Sequence, residues 1–308
     1  MAWILGFWVP ALLLGGAALL SEKMPDKPEP VIFETLDVES PEISVLTEDG
    51  TVRVMELEDY LIGVVLAEMP ASFEREALKA QAVVARTYSL RSRRHADANV
   101  CMDSTCCQAY ISPTDYLAAG GAAADATRVA EAVLETEGQV LTYQGELIEA
   151  TYFSCSGGTT EDAAAVWGTE VAYLRATVSP GEEEASHYRD TIVLTWTEFA
   201  KKLGFKPEGD PRQWIAAPSY TNGGGIERVM IAGREYTGVM LRQLLELPST
   251  ACTFFPGEGS VQITTRGYGH RVGMSQYGAD AMAAQGCDYQ TILSHYYPET
   301  TLESRNGP

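Results

Sequence analysis

The sequence YLIGVVLAEMPASFEREALKAQAVVARTYSL, residues 60–90, predicts two successive helices. Apolar residues at helical spacing in its first part predict a short amphipathic helix. Pro70 disfavours helical geometry in the residue before it, so we expect this helix to end at about Glu68. Ser72 predicts the N-cap of a second, longer helix, which we expect to run to about Arg94. The alanine-rich middle of that helix permits close packing against neighbouring elements.

The rest of the chain mixes helical and β-type patterns. Hairpins are predicted at three turns, at 48–50, 144–145 and 232–233. A strand at 261–265 is expected to enter a glycine-rich loop. Further helices are predicted at about 125–136, 275–284 and 289–297. This mixture, rich in helices and with several hairpins, predicts a single α+β domain.

The N-terminus predicts a membrane anchor. Residues 2–20 carry no charged side chain and are mostly apolar, and a bilayer-spanning helix needs roughly 20 such residues. No basic leader precedes this segment and no small-residue cleavage site follows it, so we predict a retained anchor at 1–20, with a cleaved signal peptide as the alternative. The prolines and charges of 21–42 predict an extended linker. Residues 43–308 would then form one domain on the extracytoplasmic side of the membrane.

The charge of the chain restricts its partners. The formal net charge is −20 and the isoelectric point is about 4.5. General binding to nucleic acid requires a basic surface that neutralises phosphates, so we do not expect this acidic chain to bind nucleic acid. A neutral or cationic substrate, or a bare glycan, is compatible with this charge.

Glu68 is the first candidate for acid/base chemistry. An anion near the C-terminal end of a helix is disfavoured by the helix dipole, and apolar neighbours would raise the carboxyl pKa further. A raised pKa suits a general acid that works near neutral pH. Lys79 and Arg86, seven residues apart, share one helix face and could line a polar cleft. The alternatives are a solvated glutamate at a helix end and a solvated basic stripe.

A cysteine cluster follows the long helix. His95, Cys101 and Cys107 are evenly spaced, and Cys106 is adjacent to the last of them. An imidazole with thiolates is a good ligand set for zinc. Because an exported protein can oxidise its thiols, a disulfide or free thiols are the alternatives.

Three segments resemble the stage II sporulation protein D family of lytic transglycosylases. They are residues 60–90, quoted above, YFSCSGGTTEDAAAVWG at 152–168, and GYGHRVGMSQYGADAMAAQG at 267–286. The segments occur in the order of the family's signatures, and the likeness covers about 43–297. Arg271 stands where the family often has glycine, and Tyr277 where tryptophan is common.

The resemblance implies roles for individual residues. It implies that Glu68 is the catalytic acid/base and that Lys79 and Arg86 bind substrate. Four polar residues of the other two segments would line the cleft: Ser154, Ser156, His270 and Gln276. The resemblance also implies a zinc ion, structural rather than catalytic, on His95, Cys101 and Cys107, with Cys106 or water as fourth ligand and Asp103 as a weaker option.

The resemblance also implies a reaction and a setting. The expected substrate is peptidoglycan glycan stripped of stem peptides, cleaved after N-acetylmuramic acid to give 1,6-anhydro ends during sporulation and engulfment. The expected partners are an amidase and an anchoring membrane protein.

Two other functions remain as alternatives. Related domains imply a non-catalytic, peptidoglycan-binding amidase modifier. Cys155, with His270 or His295, could instead form a Cys–His peptidase.

Overall fold

The computed structural model describes residues 41–92 and 94–305. The predicted anchor at 1–20 and nearly all of the linker at 21–42 lie outside these residues and stay predictions. Within the described ranges, no helix is long and apolar enough to cross a bilayer.

The first hairpin leads directly into the helix that was predicted from the opening segment. β1 (Glu42–Leu46) pairs with β2 (Val52–Glu56) in antiparallel register. The helix α1 (Leu57–Glu68) follows β2 without a loop and ends before Pro70, as predicted. The hairpin and the end of α1 are thus both confirmed.

The second helix, α2, is shorter than predicted. It runs over Arg75–Arg91 rather than from Ser72 to Arg94, and Glu74 occupies the N-cap. Ser72 lies instead in a turn in which the N–H of Phe73 donates to the carbonyl of Pro70. The N-cap prediction was therefore wrong because this turn delays the start of α2. Extended backbone at the C-cap residue ends the helix.

The remaining elements are short. The other helices are α3 (Pro113–Ala118), α4 (Ala123–Leu134), α5 (Ala163–Trp167), α6 (Trp196–Leu203), α7 (Gly238–Leu245), α8 (Gln276–Ala284) and α9 (Tyr289–Tyr296), with a 3₁₀ turn at Pro211–Gln213. The other strands are β3 (Val100–Cys101), β4 (Gln139–Tyr143), β5 (Glu146–Leu147), β6 (Tyr152–Phe153), β7 (Arg189–Thr195), β8 (Ser219–Tyr220), β9 (Ile226–Ile231), β10 (Arg234–Thr237), β11 (Cys252–Pro256), β12 (Ser260–Arg266), β13 (Met274–Ser275) and β14 (Thr301–Ser304).

The described strands form five small sheets, with the orders β2-β1-β3, β10-β9-β8, β11-β12-β7, β13-β6 and β14-β4-β5. The β4–β5 and β9–β10 hairpins were predicted and are confirmed. The pairs β1–β3 and β6–β13 are parallel, and the others are antiparallel. The fold is thus a mixture of helices and small sheets, as the α+β prediction required.

Two cores organise these elements. The first, here called the helical core, has α2 at its centre, packed against α1, α4, α8, α9 and β4. The second, here called the aromatic core, lies between α6, α7 and the sheets of β7–β12. Its aromatic side chains include Trp196, Phe199, Phe205, Trp214 and Tyr236. Trp196 and Trp214 pack against each other in this core, with ring centroids 5.5 Å apart.

Candidate active site and metal cluster

The three quoted segments meet at one place in the fold. β6 in the second segment pairs in parallel with β13 in the third, with Tyr152 opposite Met274. The Tyr152 hydroxyl also lies beside the carboxyl group of Glu68 in the first segment and affects its pKa. Segments that lie far apart in the sequence therefore contribute to one site around Glu68.

Glu68 is the last residue of α1 and is half-buried. The backbone N–H of Ala109 donates to Oε1 of Glu68 at 2.6 Å. Burial raises the pKa of Glu68 above its ordinary value, and the bonds from Ala109 and Tyr152 offset this only in part. Because a raised pKa keeps more of the carboxyl protonated, Glu68 can serve as a proton donor.

Gly63 allows the segment that carries Ala109 to approach α1. A Cβ at Gly63 would lie 2.3 Å from the Tyr110 ring and 2.8 Å from the carbonyl oxygen of Ile111. The N–H of Ile111 donates to the carbonyl of Gly63 at 3.2 Å. A larger residue at 63 would therefore push the 109–111 segment, and the N–H that binds Glu68, away from the helix.

Sequence reasoning missed two residues of this site. Tyr152 donates from its hydroxyl to Oε1 of Gln108 at 3.1 Å. The fully buried Gln108 donates from Nε2 to Ser89 Oγ at 2.9 Å and to the Tyr60 hydroxyl at 3.5 Å. Tyr152 stands in a quoted segment and Gln108 directly follows the cysteine pair, but neither position reveals the contact with Glu68.

His270 lies beside the same strand. Its ring centroid is 5.7 Å from that of Phe153 and 5.5 Å from that of Trp167. Nδ1 of His270 accepts from the N–H of Val272 at 3.1 Å. Burial, helped by the charge of Arg242, lowers the pKa of His270 to about 4. His270 is therefore a neutral imidazole near neutral pH.

Arg86 does not line a cleft. It is fully buried, and its Nε and Nη2 donate to the Glu58 carboxylate at 2.8 and 2.5 Å. It also donates to the carbonyls of Val133 and Gln139. Its donors are therefore occupied by bonds inside the helical core, and its predicted substrate-binding role stays a prediction.

Lys79 lies on the same face of α2 as Arg86, as predicted, but its ammonium group forms ion pairs. Its Nζ lies 2.7 Å from Glu76 and 2.8 Å from Glu135. Its side chain is only 15% exposed. Lys79 therefore stabilises the contact between α2 and the end of α4, and reaches substrate only if these pairs open.

Two of the four predicted cleft-lining residues are buried. Ser156 donates from Oγ to Glu182 at 2.8 Å, and Gln276 donates from Nε2 to Gln81 at 3.5 Å. Both side chains are buried, so neither lines an open cleft, and the prediction that they bind sugar stays untested. Ser154, which is half-buried, and His270 remain near β6.

The surroundings of Cys155 disfavour the Cys–His peptidase alternative. Cys155 is fully buried, and its Sγ donates to the carboxylate of Glu182 at 3.2 Å. Burial, together with this carboxylate, raises the pKa of the Cys155 thiol to about 12. His295 instead contacts the carbonyl of Val178 at 2.8 Å. A buried thiol beside a carboxylate is a poor nucleophile because the thiolate is disfavoured.

The predicted metal ligands come together. The ligand atoms of His95, Cys101, Cys106 and Cys107 all lie within 4.8 Å of one another. Nε2 of His95 is 3.4 Å from Cys107 Sγ and 3.7 Å from Cys106 Sγ, and the two sulfurs are 3.9 Å apart. A tetrahedral ion with metal–sulfur bonds of about 2.3 Å requires ligand separations of about 3.8 Å. These four residues therefore fit a metal ion.

The weaker ligand candidate, Asp103, has another role. Its carboxylate accepts from the N–H and the hydroxyl of Thr105, and its carbonyl accepts from the N–H groups of Cys106 and Cys107. All six cysteines of the chain are free thiols. The sulfur separation of 3.9 Å between Cys106 and Cys107 exceeds the roughly 2.05 Å of a disulfide. The geometry therefore favours a metal over the disulfide alternative.

The cluster is continuous with the site of Glu68. Cys106 and Cys107 are followed directly by Gln108 and Ala109, which contact Tyr152 and Glu68. An ion that fixes the cysteine pair would therefore also fix the segment that holds the carboxyl group.

An open cleft lies apart from this site. It has a volume of about 820 Å³ and is lined by α5, the segment at 170–175 and the turn at 220–222. The carboxylates of Asp162, Glu170 and Glu227 give it an acidic lining. Neither Glu68 nor the cysteine cluster lines it, so cavity size does not identify the candidate active site.

Comparison with known proteins gives the family. The family model described as Stage II sporulation protein matches residues 47–143, which include Glu68 and the cysteine cluster. The chain is 36% identical to Stage II sporulation protein D of Bacillus subtilis (strain 168), over 97% of this chain and 92% of that protein. The chain belongs to the stage II sporulation protein D family.

Two further relatives agree with this assignment. Stage II sporulation protein D of Bacillus amyloliquefaciens is 37% identical over 82% of this chain and 75% of that protein. A Bacillus subtilis protein named Amidase enhancer is 31% identical over 79% of this chain, but only 40% of its own length is covered.

Proposed function

We propose that the protein is a lytic transglycosylase that cleaves peptidoglycan glycan strands, stripped of stem peptides, after N-acetylmuramic acid. The observation that carries this proposal is the half-buried carboxyl of Glu68, whose pKa is raised by burial and which accepts a hydrogen bond from the backbone N–H of Ala109. Membership of the stage II sporulation protein D family supports the same assignment.

The reaction needs one group that first gives and then takes a proton. Protonated Glu68 would donate to the glycosidic oxygen as the bond from the anomeric carbon breaks. The Glu68 carboxylate would then accept the proton of the same sugar's 6-hydroxyl, whose oxygen bonds to the anomeric carbon. The product is a 1,6-anhydro sugar, no water is consumed, and Glu68 ends protonated. The intramolecular nucleophile gives this route a large entropic advantage.

This reaction differs from hydrolysis in the number of carboxyl groups that it needs. A glycoside hydrolase generally uses two carboxyl groups that flank the scissile bond. Among the described residues, the groups that alter the pKa of Glu68 are a backbone amide and a phenol, not a second carboxylate. A single carboxyl group is enough when the substrate supplies its own nucleophile.

The cellular setting is part of the proposal. The apolar segment at 1–20 would anchor the chain as a single-pass protein and place the catalytic domain at 43–308 outside the cytoplasm. In the engulfing membrane of a sporulating cell, the protein would act after an amidase that removes stem peptides, together with an anchoring membrane protein.

Zinc is the ion that we propose for the cysteine cluster. Three thiols and one imidazole form a ligand set typical of closed, structural zinc sites. The ion would hold the cysteine loop in its folded form and would take no part in the chemistry.

The second candidate function is that of an amidase modifier without catalytic activity. It is favoured by the 31% identity to the protein named Amidase enhancer. Binding of glycan without cleavage would suit this function.

The deciding experiment uses the full chain and a Glu68→Gln variant on amidase-treated glycan strands. Mass spectrometry distinguishes anhydro ends from reducing ends, because the anhydro product is lighter by one water. Anhydro ends from the wild type alone would support the transglycosylase. Reducing ends would replace it with a hydrolase, and glycan binding without cleavage by the wild type would favour the modifier.

A further inference from the structure

The hydroxyl of Tyr152 has one proton and two acceptors. It donates to Oε1 of Gln108 at 3.1 Å. It also lies beside the carboxyl group of Glu68, whose pKa it affects. A phenol donates one hydrogen bond and accepts others through its oxygen. Tyr152 therefore cannot donate to Gln108 and to Glu68 at the same time.

The orientation of the Gln108 amide follows from its other contacts. Ser89 Oγ donates its proton to the carbonyl of Ala85 at 2.7 Å, so towards Gln108 it can only accept. The NH₂ group of Gln108 must then face Ser89, and its oxygen must face Tyr152. Gln108 is fully buried, so no solvent competes with this arrangement.

The two protonation states of Glu68 need different directions of the hydrogen bonds among Glu68, Tyr152 and Gln108. When Glu68 is protonated, it donates to the Tyr152 oxygen, and Tyr152 donates to Gln108. When Glu68 is ionised, it accepts the Tyr152 proton, and the Gln108 oxygen loses its donor. Gln108 therefore favours the protonated state of Glu68.

We propose that Gln108 is a positioning residue that holds the Tyr152 proton while Glu68 is an acid and yields it when Glu68 becomes a carboxylate. This inference rests on the proposed function, in which Glu68 alternates between these states. As the Glu68 proton leaves for the glycosidic oxygen, the Tyr152 hydroxyl turns from Gln108 to the new carboxylate. It returns when Glu68 accepts the proton of the sugar hydroxyl.

Other titratable groups lie near Gln108, Tyr152 and Glu68. Burial raises the pKa of Tyr152, and Tyr60 on α1 and Tyr88 on α2 raise it further. Burial also raises the pKa of Tyr60 and of Tyr88, so both stay neutral. Cys101 and Cys107 affect the pKa of Tyr60, and Cys107 also affects that of Tyr88, but neither cysteine affects the pKa of Glu68.

The charged groups on the packed helices are paired or act elsewhere. Glu58 on α1 is paired with Arg86, and Lys79 is paired with Glu76 and Glu135. Burial raises the pKa of Tyr110, and the carboxylates of Asp115 and Asp59 raise it further.

The test substitutes Gln108→Met, which keeps the length of the side chain and removes its acceptor. The titration of the Glu68 carboxyl is followed by carbon NMR on the full chain with labelled glutamate, and the signal is assigned by its loss in Glu68→Gln. We expect Gln108→Met to weaken proton binding by Glu68 by about tenfold, because a hydrogen bond that favours the protonated state is lost. The alkaline limb of the pH–rate profile would move to lower pH by the same factor.

The control is Gln81→Met, the same substitution at another fully buried glutamine, which is bonded to Gln276. It is expected to leave proton binding by Glu68 unchanged. In a Tyr152→Phe background, Gln108→Met should have no further effect, because the hydroxyl that transmits it is gone.

Two results would overturn the proposal. One is unchanged or stronger proton binding in Gln108→Met, and the other is an equal effect of that substitution in the Tyr152→Phe background. Because the NMR titration needs no substrate, it gives an answer even if the chain cleaves no glycan. Circular dichroism shows whether Gln108→Met is folded. If it is not, the titration of Glu68 is measured instead in Gln108→Glu, which keeps an acceptor for Tyr152. That variant should retain proton binding at least as strong as in the wild type, and a tenfold loss there would count against the proposal.

Discussion

The helical core and the aromatic core keep their charges in different places. The helical core buries a complete ion pair, Arg86 with Glu58, at 0% and 6% side-chain exposure. It also keeps the half-buried Glu68 at its edge. Near the aromatic core, the Arg228–Glu235 pair is more than half exposed on both sides. A second buried pair, Arg271 with Glu161, lies outside the helical core, at 2% and 1% side-chain exposure. Buried polar groups are costly unless they are satisfied, so breaking the buried Arg86–Glu58 pair should cost more stability than breaking the exposed Arg228–Glu235 pair.

The largest expected effect is on activity. Glu68→Gln should lower the rate of glycan cleavage by about 10³-fold, because general acid/base catalysis typically contributes 10²–10⁴-fold. The matched control is Glu235→Gln near the aromatic core, which should change the rate less than about twofold, since surface substitutions are usually neutral. Rates are measured from released anhydro ends. Equal losses in both variants would remove the functional contrast between the two cores.

The next effect is on stability. Arg86→Met should lower the free energy of unfolding by about 3–5 kcal/mol, because it leaves the Glu58 charge buried without a partner. Arg228→Met, at an exposed pair, should cost less than about 1 kcal/mol. Urea unfolding measures both. A similar, small cost for the two would mean that Arg86 is not in the buried environment described above.

A smaller effect is expected from the metal cluster. The wild type should bind one metal ion per chain, and a free concentration about 100 times the dissociation constant would stabilise it by about 2.7 kcal/mol. Cys107→Ser should lose both the ion and this stabilisation, whereas Cys287→Ser, outside the cluster, should retain them. Elemental analysis and thermal unfolding with and without a chelator are the measurements. Equal metal content in the two variants would rule out the cluster as the site.

The helical core could be read from the sequence because its signals are local. Apolar residues at helical spacing and Pro70 located α1 and placed Glu68 at its end. The aromatic core was not predicted, because Trp196, Phe199 and Phe254 come from short segments that share no single period. Their contacts exist only once β7, β11 and β12 pair.

The same distinction explains which site residues were found. His95 and the cysteines lie within 13 residues of one another, so their spacing was informative. Tyr152 reaches Glu68 only through the pairing of β6 with β13, which joins residues more than 100 positions apart. The spacing of Lys79 and Arg86 located both on one face of α2, but the burial of Arg86 depends on Glu58 on another helix.

The smallest expected effect is a difference in the sign of pH dependence. Burial raises the pKa of Glu68 in the folded state, so ionising it costs stability as pH rises above the unfolded value of about 4.3, until pH passes the folded pKa. Glu68→Gln should therefore be slightly more stable than the wild type near neutral pH, and this gain should vanish in acid. Glu198, which caps α6 beside the aromatic core, has the opposite character, because hydrogen bonds from Thr195 lower its pKa. Its contribution is present above the unfolded pKa and is lost as pH falls, so Glu198→Gln should be less stable than the wild type near neutral pH and approach it in acid. Thermal unfolding of the three proteins across pH tests this, and slopes of the same sign in both variants would contradict the assigned environment of one of the two carboxylates.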